Sequence, residues 1–306
     1  MLRDTQPADP RVEAAVGHLI TPESIWHRRS IAVLNKATRS FETTGSYVSF
    51  APEFLTEAYA GFSTEEVAGM HRHQGHSFLW NAKRRMVSRL IQTHMPESRH
   101  VLDIGCGTGF ITEAIATVLP HATVFGTDIY LNSIELASKK LKDRGFVFHM
   151  NATAIPFCDT FDLVTSFDVL EHIQDDEKAI SEIRASLVPG GVCFLGVPQH
   201  PWLWSPADEH AHHFRRYRKD ELQEKLKRAG FSIVWTSSFI SLLLPAMALS
   251  RWKSRLVGNY NLDAEHLLPG SLTRMLLAIT DLELTTLRAG VRYPVGGTRL
   301  VIARRI

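Results

Sequence analysis

The run Val101-Leu102-Asp103-Ile104-Gly105-Cys106-Gly107-Thr108-Gly109-Phe110 constrains the chain more than any other stretch. A short apolar strand carrying Asp103 gives way to glycines at every second position. A helix is predicted over 111–119. A strand that stops at closely spaced glycines and feeds a helix lets a ligand lie against bare backbone. It also aims the free N–H groups of the helix start at that ligand.

The spacing narrows the ligand. A dinucleotide fingerprint reads G-x-G-x-x-G, with its third glycine at the helix–strand contact. Here the pattern is G-x-G-x-G, and Phe110 stands at the dinucleotide position. A carboxylate just before the loop, Asp103, sits badly beside a pyrophosphate and suits a cationic or amine-bearing ligand. The ten residues resemble motif I of the class I S-adenosylmethionine-dependent methyltransferases. The resemblance implies an α/β, Rossmann-like fold: a seven-stranded, mostly parallel sheet with helices on both faces.

Further matches follow in order. Residues 123–127 read as a second strand ending at Asp128, about 25 residues after Asp103, where an acid takes both ribose hydroxyls in the Rossmann manner. Residues 146–150 read as a third strand, followed by Asn151-Ala152-Thr153. The family usually has an acid at Asn151 that accepts from the adenine amino group; asparagine can accept through its carbonyl oxygen. The run Phe161 to Ile173, with Phe167-Asp168-Val169-Leu170-Glu171-His172, resembles the fourth strand and exit loop of ubiquinone/menaquinone-biosynthesis methyltransferases. Residues 187–191 read as a turn into a fifth strand over 192–197. The resemblance covers about residues 73–235. It implies S-adenosylmethionine as cofactor and S-adenosylhomocysteine as product. The implied cofactor residues are Asp103, Gly105, Cys106, Gly107, Gly109, Asp128, Ile129, Asn151, Ala152, Phe167, Asp168, Val169 and His172.

Composition fits a core-bearing enzyme. The chain has 306 residues, 44% of them hydrophobic and 22% charged, so disorder is not indicated. A net charge of +2 argues against a general nucleic-acid binder. Three cysteines without regular spacing form no disulfide framework and fit a reducing, cytoplasmic compartment. Residues 1–10 are polar with two prolines and do not read as a signal peptide. The longest apolar run, near 239–249, is too short to span a bilayer.

Four segments are expected. Residues 1–72 read as a helical extension, with Thr21-Pro22 and Ser63-Thr64-Glu65-Glu66 as helix starts. Residues 73–238 alternate strands and helices as a cofactor-binding core. There, 78–95 is a helix whose Phe78, Trp80, Arg84 and Arg85 cover the cofactor or, more simply, pack on the sheet. A helix over 219–229 and a sixth strand over 231–236 follow. Residues 239–298 form an insertion that can serve as a substrate wall, a lipid contact, a dimer surface or plain packing. The last strand falls at 299–303.

Methyl transfer from a sulfonium is an in-line displacement, so the acceptor must be aligned and water kept out. The segment Trp202 to Tyr217 follows the fifth strand and so lies at the carboxyl edge of the sheet, where ligands bind. Its His-x-Arg-Arg-Tyr ending resembles a bacterial subgroup of the family associated with saccharide, lipid-linked or secondary-metabolite pathways. His213 is the candidate acid/base or acceptor-orienting group. Tyr217 is a candidate hydrogen-bonding partner of the acceptor. Arg215 and Arg216 can hold a substrate carboxylate or phosphate. His172 is a second catalytic candidate, with cofactor-shell duty as its alternative. Fifteen histidines include the groups His71/His73/His76 and His210/His212/His213, but no spacing typical of a metal site appears, and no metal is expected.

The expected activity is methyl transfer to a small-molecule acceptor, on oxygen, with no nucleic-acid partner. Peripheral contact with the inner membrane face and a homodimer are compatible with the insertion. The alternatives are a nucleic-acid or protein methyltransferase, or a cofactor-binding regulator without turnover.

Overall fold

The computed structural model describes residues 33–38, 41–44, 47–54, 62–257 and 267–306. The helix start expected at Thr21-Pro22 lies outside them. In chain order the elements are β1 (Glu42–Thr44), β2 (Tyr47–Ser49), α1 (Thr64–Gln74), α2 (Phe78–His94), β3 (His100–Ile104), α3 (Phe110–Val118), β4 (Thr123–Asp128), α4 (Leu131–Leu141), β5 (Gly145–His149) and β6 (Phe161–Phe167). They continue with α5 (Asp176–Ser186), β7 (Leu187–Pro198), α6 (Pro206–His210), α7 (Glu221–Arg228), β8 (Phe231–Phe239), α8 (Leu244–Val257), α9 (Gly270–Arg288) and β9 (Thr298–Arg305).

One sheet runs in the order β1-β2-β5-β4-β3-β6-β7-β9-β8. The seven expected strands are β3 to β9. β9 lies antiparallel to both neighbours, β7 and β8, while β3 to β7 pair in parallel. Residues 42–44 and 47–49, expected within a helical extension, instead add two strands at the β5 edge. Val48 is fully buried there, and Ser49 Oγ lies 2.8 Å from His149 Nδ1, which ties the added edge to the sheet. Residues 187–191, expected as a turn, begin strand β7 with a bulge opposite Phe161 and Leu163.

The central strands carry apolar residues on both faces because helices cover both. Every residue of β4 is buried. On one face Phe125, Phe148, Phe157 and Phe161 pack with Ile180 and Ile183 of α5 and Leu222 and Leu226 of α7. On the other, Ala82, Met86 and Leu90 of α2 form a helical-period stripe against Ile111 and Ile115 of α3 and Leu284 and Leu287 of α9. Ser63 and Glu66 form the expected capping box of α1.

Two contacts seat the 239–298 segment on the core. The buried carboxylate of Glu283 accepts from the backbone N–H of Ser241 at 3.0 Å and of Leu242 at 3.2 Å. Arg89 of α2 pairs with Asp281 of α9 at 3.0 Å. No helix among the described residues is long and apolar enough to cross a membrane. The strand order reverses around β3, and this opens a crevice at the carboxyl ends of β3, β4 and β6.

Candidate active site

The glycine turn after β3 is built from left-handed backbone. Gly105, Gly107 and Gly109 have φ of +69°, +52° and +78°. They do different work. A Cβ on Gly105 would come within 2.2 Å of the Val169 side chain, so β3 and the β6 exit loop meet only because that Cβ is missing. A Cβ on Gly109 would meet the Ala137 backbone at 3.0 Å, so this glycine lets α3 pack on α4. A Cβ on Gly107 would meet nothing within 4 Å, and Gly107 lines a cavity of about 270 Å³. Bare backbone there is what a closely held ligand needs.

The cavity is lined by Asp103, Gly105, Cys106, Gly107, Asp128, Ile129, Asn151, Ala152, Phe167, Asp168, Val169 and His172. Gly109 is absent from this wall; it is a packing glycine. Asp128 is held in place by backbone donors: Gly107 N–H reaches Oδ2 at 2.8 Å and Tyr130 N–H reaches Oδ1 at 2.9 Å. Each oxygen keeps a lone pair for two neighbouring hydroxyls. Burial raises this acid to about 6 against the pull of those N–H groups.

Two of the residues expected at the cofactor carry hydrogen bonds of their own. The Asp103 carboxylate accepts one hydroxyl donor on each oxygen, Thr112 Oγ1 and Thr165 Oγ1, each at 2.6 Å, and like Asp128 keeps a lone pair on each. Burial nevertheless raises it to about 6. Asn151 Oδ1 accepts from both the backbone N–H and the hydroxyl of Thr153, each at 2.9 Å. Both lone pairs of that oxygen are used, so Asn151 has its amide N–H₂, a donor, to offer instead. The short Asn-x-Thr turn decides this, a preference that asparagine brings to turns generally.

Two smaller cavities of about 180 and 230 Å³ adjoin the first. Lys83 and Asp168 line all three, and their side chains are in direct ionic contact. Burial lowers Lys83 to about 8, opposed by Glu171. The smaller cavities are walled by His213, Arg216 and Arg251, with Met247 and Phe239 adding apolar surface. Met247 and Arg251 belong to α8, so the 239–298 segment contributes to this wall.

His213 faces these adjoining cavities. Its Nδ1 lies 3.0 Å from Asp208 Oδ1. The same carboxylate accepts from Arg216 Nε at 2.6 Å and Ser205 N–H at 2.9 Å. Burial alone would raise Asp208, but His213 and Arg216 outweigh it and hold the acid at about 2. His172 lines the large cavity, its ring 4.6 Å from that of His213. Burial, reinforced by the neighbouring histidines, lowers His172 to about 3.

Tyr217 is a correction. It is fully buried, and its hydroxyl donates to Asp176 Oδ2 at 2.6 Å, away from all three cavities. Burial raises it far above an ordinary phenol. Arg215 is likewise engaged, with Asp176 at 2.8 Å and the Gln174 carbonyl at 2.7 Å. Arg216 is bound to Asp208 and buried, though it borders the smaller cavities. Both arginines make the ion pairs that anchor this loop. Trp80 lines the large cavity, whereas Arg85 pairs with Asp281 of α9. Lys83 and Glu171 were not legible as site residues. Lys83 lies on the polar edge of an amphipathic helix, and Glu171 gives no local sign of its burial.

Residues 102–195 match the family described as "Methyltransferase domain". Trans-aconitate 2-methyltransferase of Variovorax paradoxus is 33% identical over 36% of this chain and 43% of its own length. Ubiquinone biosynthesis O-methyltransferase of Haemophilus ducreyi is 33% identical over 32% and 44%. Demethylmenaquinone methyltransferase of Lactiplantibacillus plantarum is 34% identical over 44% and 59%. The chain thus spans about half the length of the curated relatives it matches. Among solved structures, phosphoethanolamine N-methyltransferase 2 of Haemonchus contortus with S-adenosyl-L-methionine superposes with a TM-score of 0.55 at 19% identity, over 83% of this chain and 59% of that one. This likeness is one of fold.

Proposed function

We propose that this chain, which carries a class I S-adenosylmethionine-dependent methyltransferase domain, moves a methyl group to an oxygen of a small-molecule acceptor. When bound, S-adenosylmethionine supplies an electrophilic methyl carbon on a sulfonium. The observation that carries the proposal is the junction of cavities. The glycine turn and Asp128 form one chamber, His213 and its carboxylate partner another, and Lys83 with Asp168 forms the wall between them.

Each residue then has a role its geometry supports. Gly107 brings bare backbone to the cofactor, and Asp128 takes the ribose hydroxyls. Ile129, Ala152 and Val169 supply apolar contact around the nucleoside. His213, oriented through Nδ1 by Asp208, orients the acceptor or takes its proton through Nε2. Phe239, Met247 and Arg251 wall the acceptor and exclude water. An exposed stripe on α8, Leu249, Trp252 and Leu256, supports an acceptor with a lipid-linked or otherwise apolar portion. Saccharide and secondary-metabolite acceptors remain within the same reading.

The test is calorimetric titration with S-adenosylmethionine, S-adenosylhomocysteine and NADH in parallel, followed by an acceptor screen with labelled methyl groups. Micromolar binding of the two sulfur ligands alone is expected. Failure of both would overturn the proposal. His213→Ala is expected to lower turnover while leaving cofactor affinity nearly intact; normal turnover would remove His213 from the mechanism.

A further inference from the structure

Glu171, His172 and His213 converge at the wall between the two chambers. Each offers one ligand atom, and these atoms lie within 4.8 Å of one another. His213 Nε2 stands 3.9 Å from Glu171 Oε1. His172 lines the cofactor chamber, whereas Glu171 and His213 line the acceptor chamber.

Glu171 is the second observation that points to a ligand. It is fully buried, and neither of its oxygens has a hydrogen-bond partner. Such a group is costly in a folded interior unless something satisfies it. Lys83 and Arg216 act on it only through charge and make no hydrogen bond to it, because Lys83 contacts Asp168 and Arg216 is bonded to Asp208. His213 is meanwhile held through one ring nitrogen, its Nδ1 facing Asp208. A metal-ligating histidine is usually oriented in this way, by a carboxylate or carbonyl on the nitrogen that does not bind.

We propose that Glu171, His172 and His213 bind one divalent transition-metal ion at the boundary of the acceptor chamber. Two imidazoles and one carboxylate favour an ion of the zinc, cobalt or manganese kind over calcium or magnesium. Three protein ligands leave coordination positions open, the mark of a site that binds a reactant. Tetrahedral ligands about 2 Å from one ion lie roughly 3.3 Å apart, so the cluster closes by about 1–1.5 Å on binding. Glu171 and His213 line the acceptor chamber, so an acceptor oxygen entering it could occupy an open position and be held there for in-line attack. His213 would then act as a ligand positioned by Asp208 and not as the base. The role given to the ion rests on the methyltransferase reading; its binding does not.

The experiment is titration of chelator-stripped full-length protein with cobalt(II), followed by visible absorption and calorimetry. One ion per chain, with ligand-field bands and competition by zinc, is expected. Glu171→Gln and His213→Ala should each weaken binding by about a hundredfold, and Asp208→Asn by about tenfold or more. His73→Ala with His76→Ala should leave it unchanged. Absence of one-to-one binding, wild-type affinity in Glu171→Gln, or loss confined to the His73/His76 variant would each overturn the proposal. If His213→Ala does not fold, the isosteric Glu171→Gln decides alone. Titration of the same samples with S-adenosylhomocysteine separates the two readings. Ion binding without that ligand would sink the methyltransferase reading and leave the metal site standing.

Discussion

One oxygen of Asp208 serves two partners: His213 Nδ1 at 3.0 Å and Arg216 Nε at 2.6 Å. Asp208 thereby sets the imidazole's orientation and neutralises a buried guanidinium. Asp208→Ala strands that charge and is expected to destabilise the fold by about 3–5 kcal/mol, read from urea unfolding. A loss below about 1 kcal/mol would mean that Arg216 reaches water when its partner is removed.

Asp128→Ala should weaken S-adenosylhomocysteine binding by roughly 1.5–3 kcal/mol, the worth of hydrogen bonds to a charged group. The pH dependence follows from the same residue. Burial raises Asp128 from 3.8 to about 6 in the ligand-free fold, so folding takes up a proton between those values. Its contribution to stability is therefore full below about 3.8 and is lost as pH rises through about 6. Ligand binding has the opposite sign, because ribose hydroxyls favour the carboxylate. Affinity should be level above pH 7 and fall as pH drops through about 6. Calorimetry across that range checks it, and a fall as steep in Asp128→Asn would assign the effect elsewhere.

Gly107→Ala and Gly109→Ala should part company. Both residues have positive φ, so each substitution costs about 1–2 kcal/mol of backbone strain. Gly109→Ala also drives a methyl into the Ala137 backbone and should show mainly as a lower melting temperature. Gly107→Ala places its methyl in the open cavity and should show mainly as lost cofactor affinity. Equal loss of affinity in both would refute the division.

Tyr217→Phe removes one hydrogen bond to Asp176, which keeps Lys225 and Arg215 as partners. A stability loss of about 1 kcal/mol is expected, with cofactor affinity unchanged. Turnover altered in KM for the acceptor would return Tyr217 to the site.

The glycine turn, the position of Asp128 at a strand end and the places of strands β3 to β9 along the chain were legible in the sequence because their signals are local. Closely spaced glycines open left-handed backbone to a turn, and an apolar run ending in an acid marks a strand end. The packing of Gly109 on Ala137 was not legible, because Ala137 lies on another helix. The orientation of Asn151 follows from a contact only two residues away, in the Asx turn that asparagine favours.

The sequence by itself determined the glycine turn that floors the large cavity: a strand, a turn and a helix create it within about ten residues, and short-range geometry suffices for that floor, whereas Asp128, Asn151 and Val169 reach the same cavity through sheet pairing. Only the tertiary structure decided what faces the acceptor. Parallel pairing of β6 with β7 brings the exit loop holding Glu171 and His172 beside the loop holding His213, and α2 lays Lys83 across both. It also turned Tyr217 inward to Asp176. Burial and long-range pairing set these orientations, and neither is written in the spacing of residues forty positions apart.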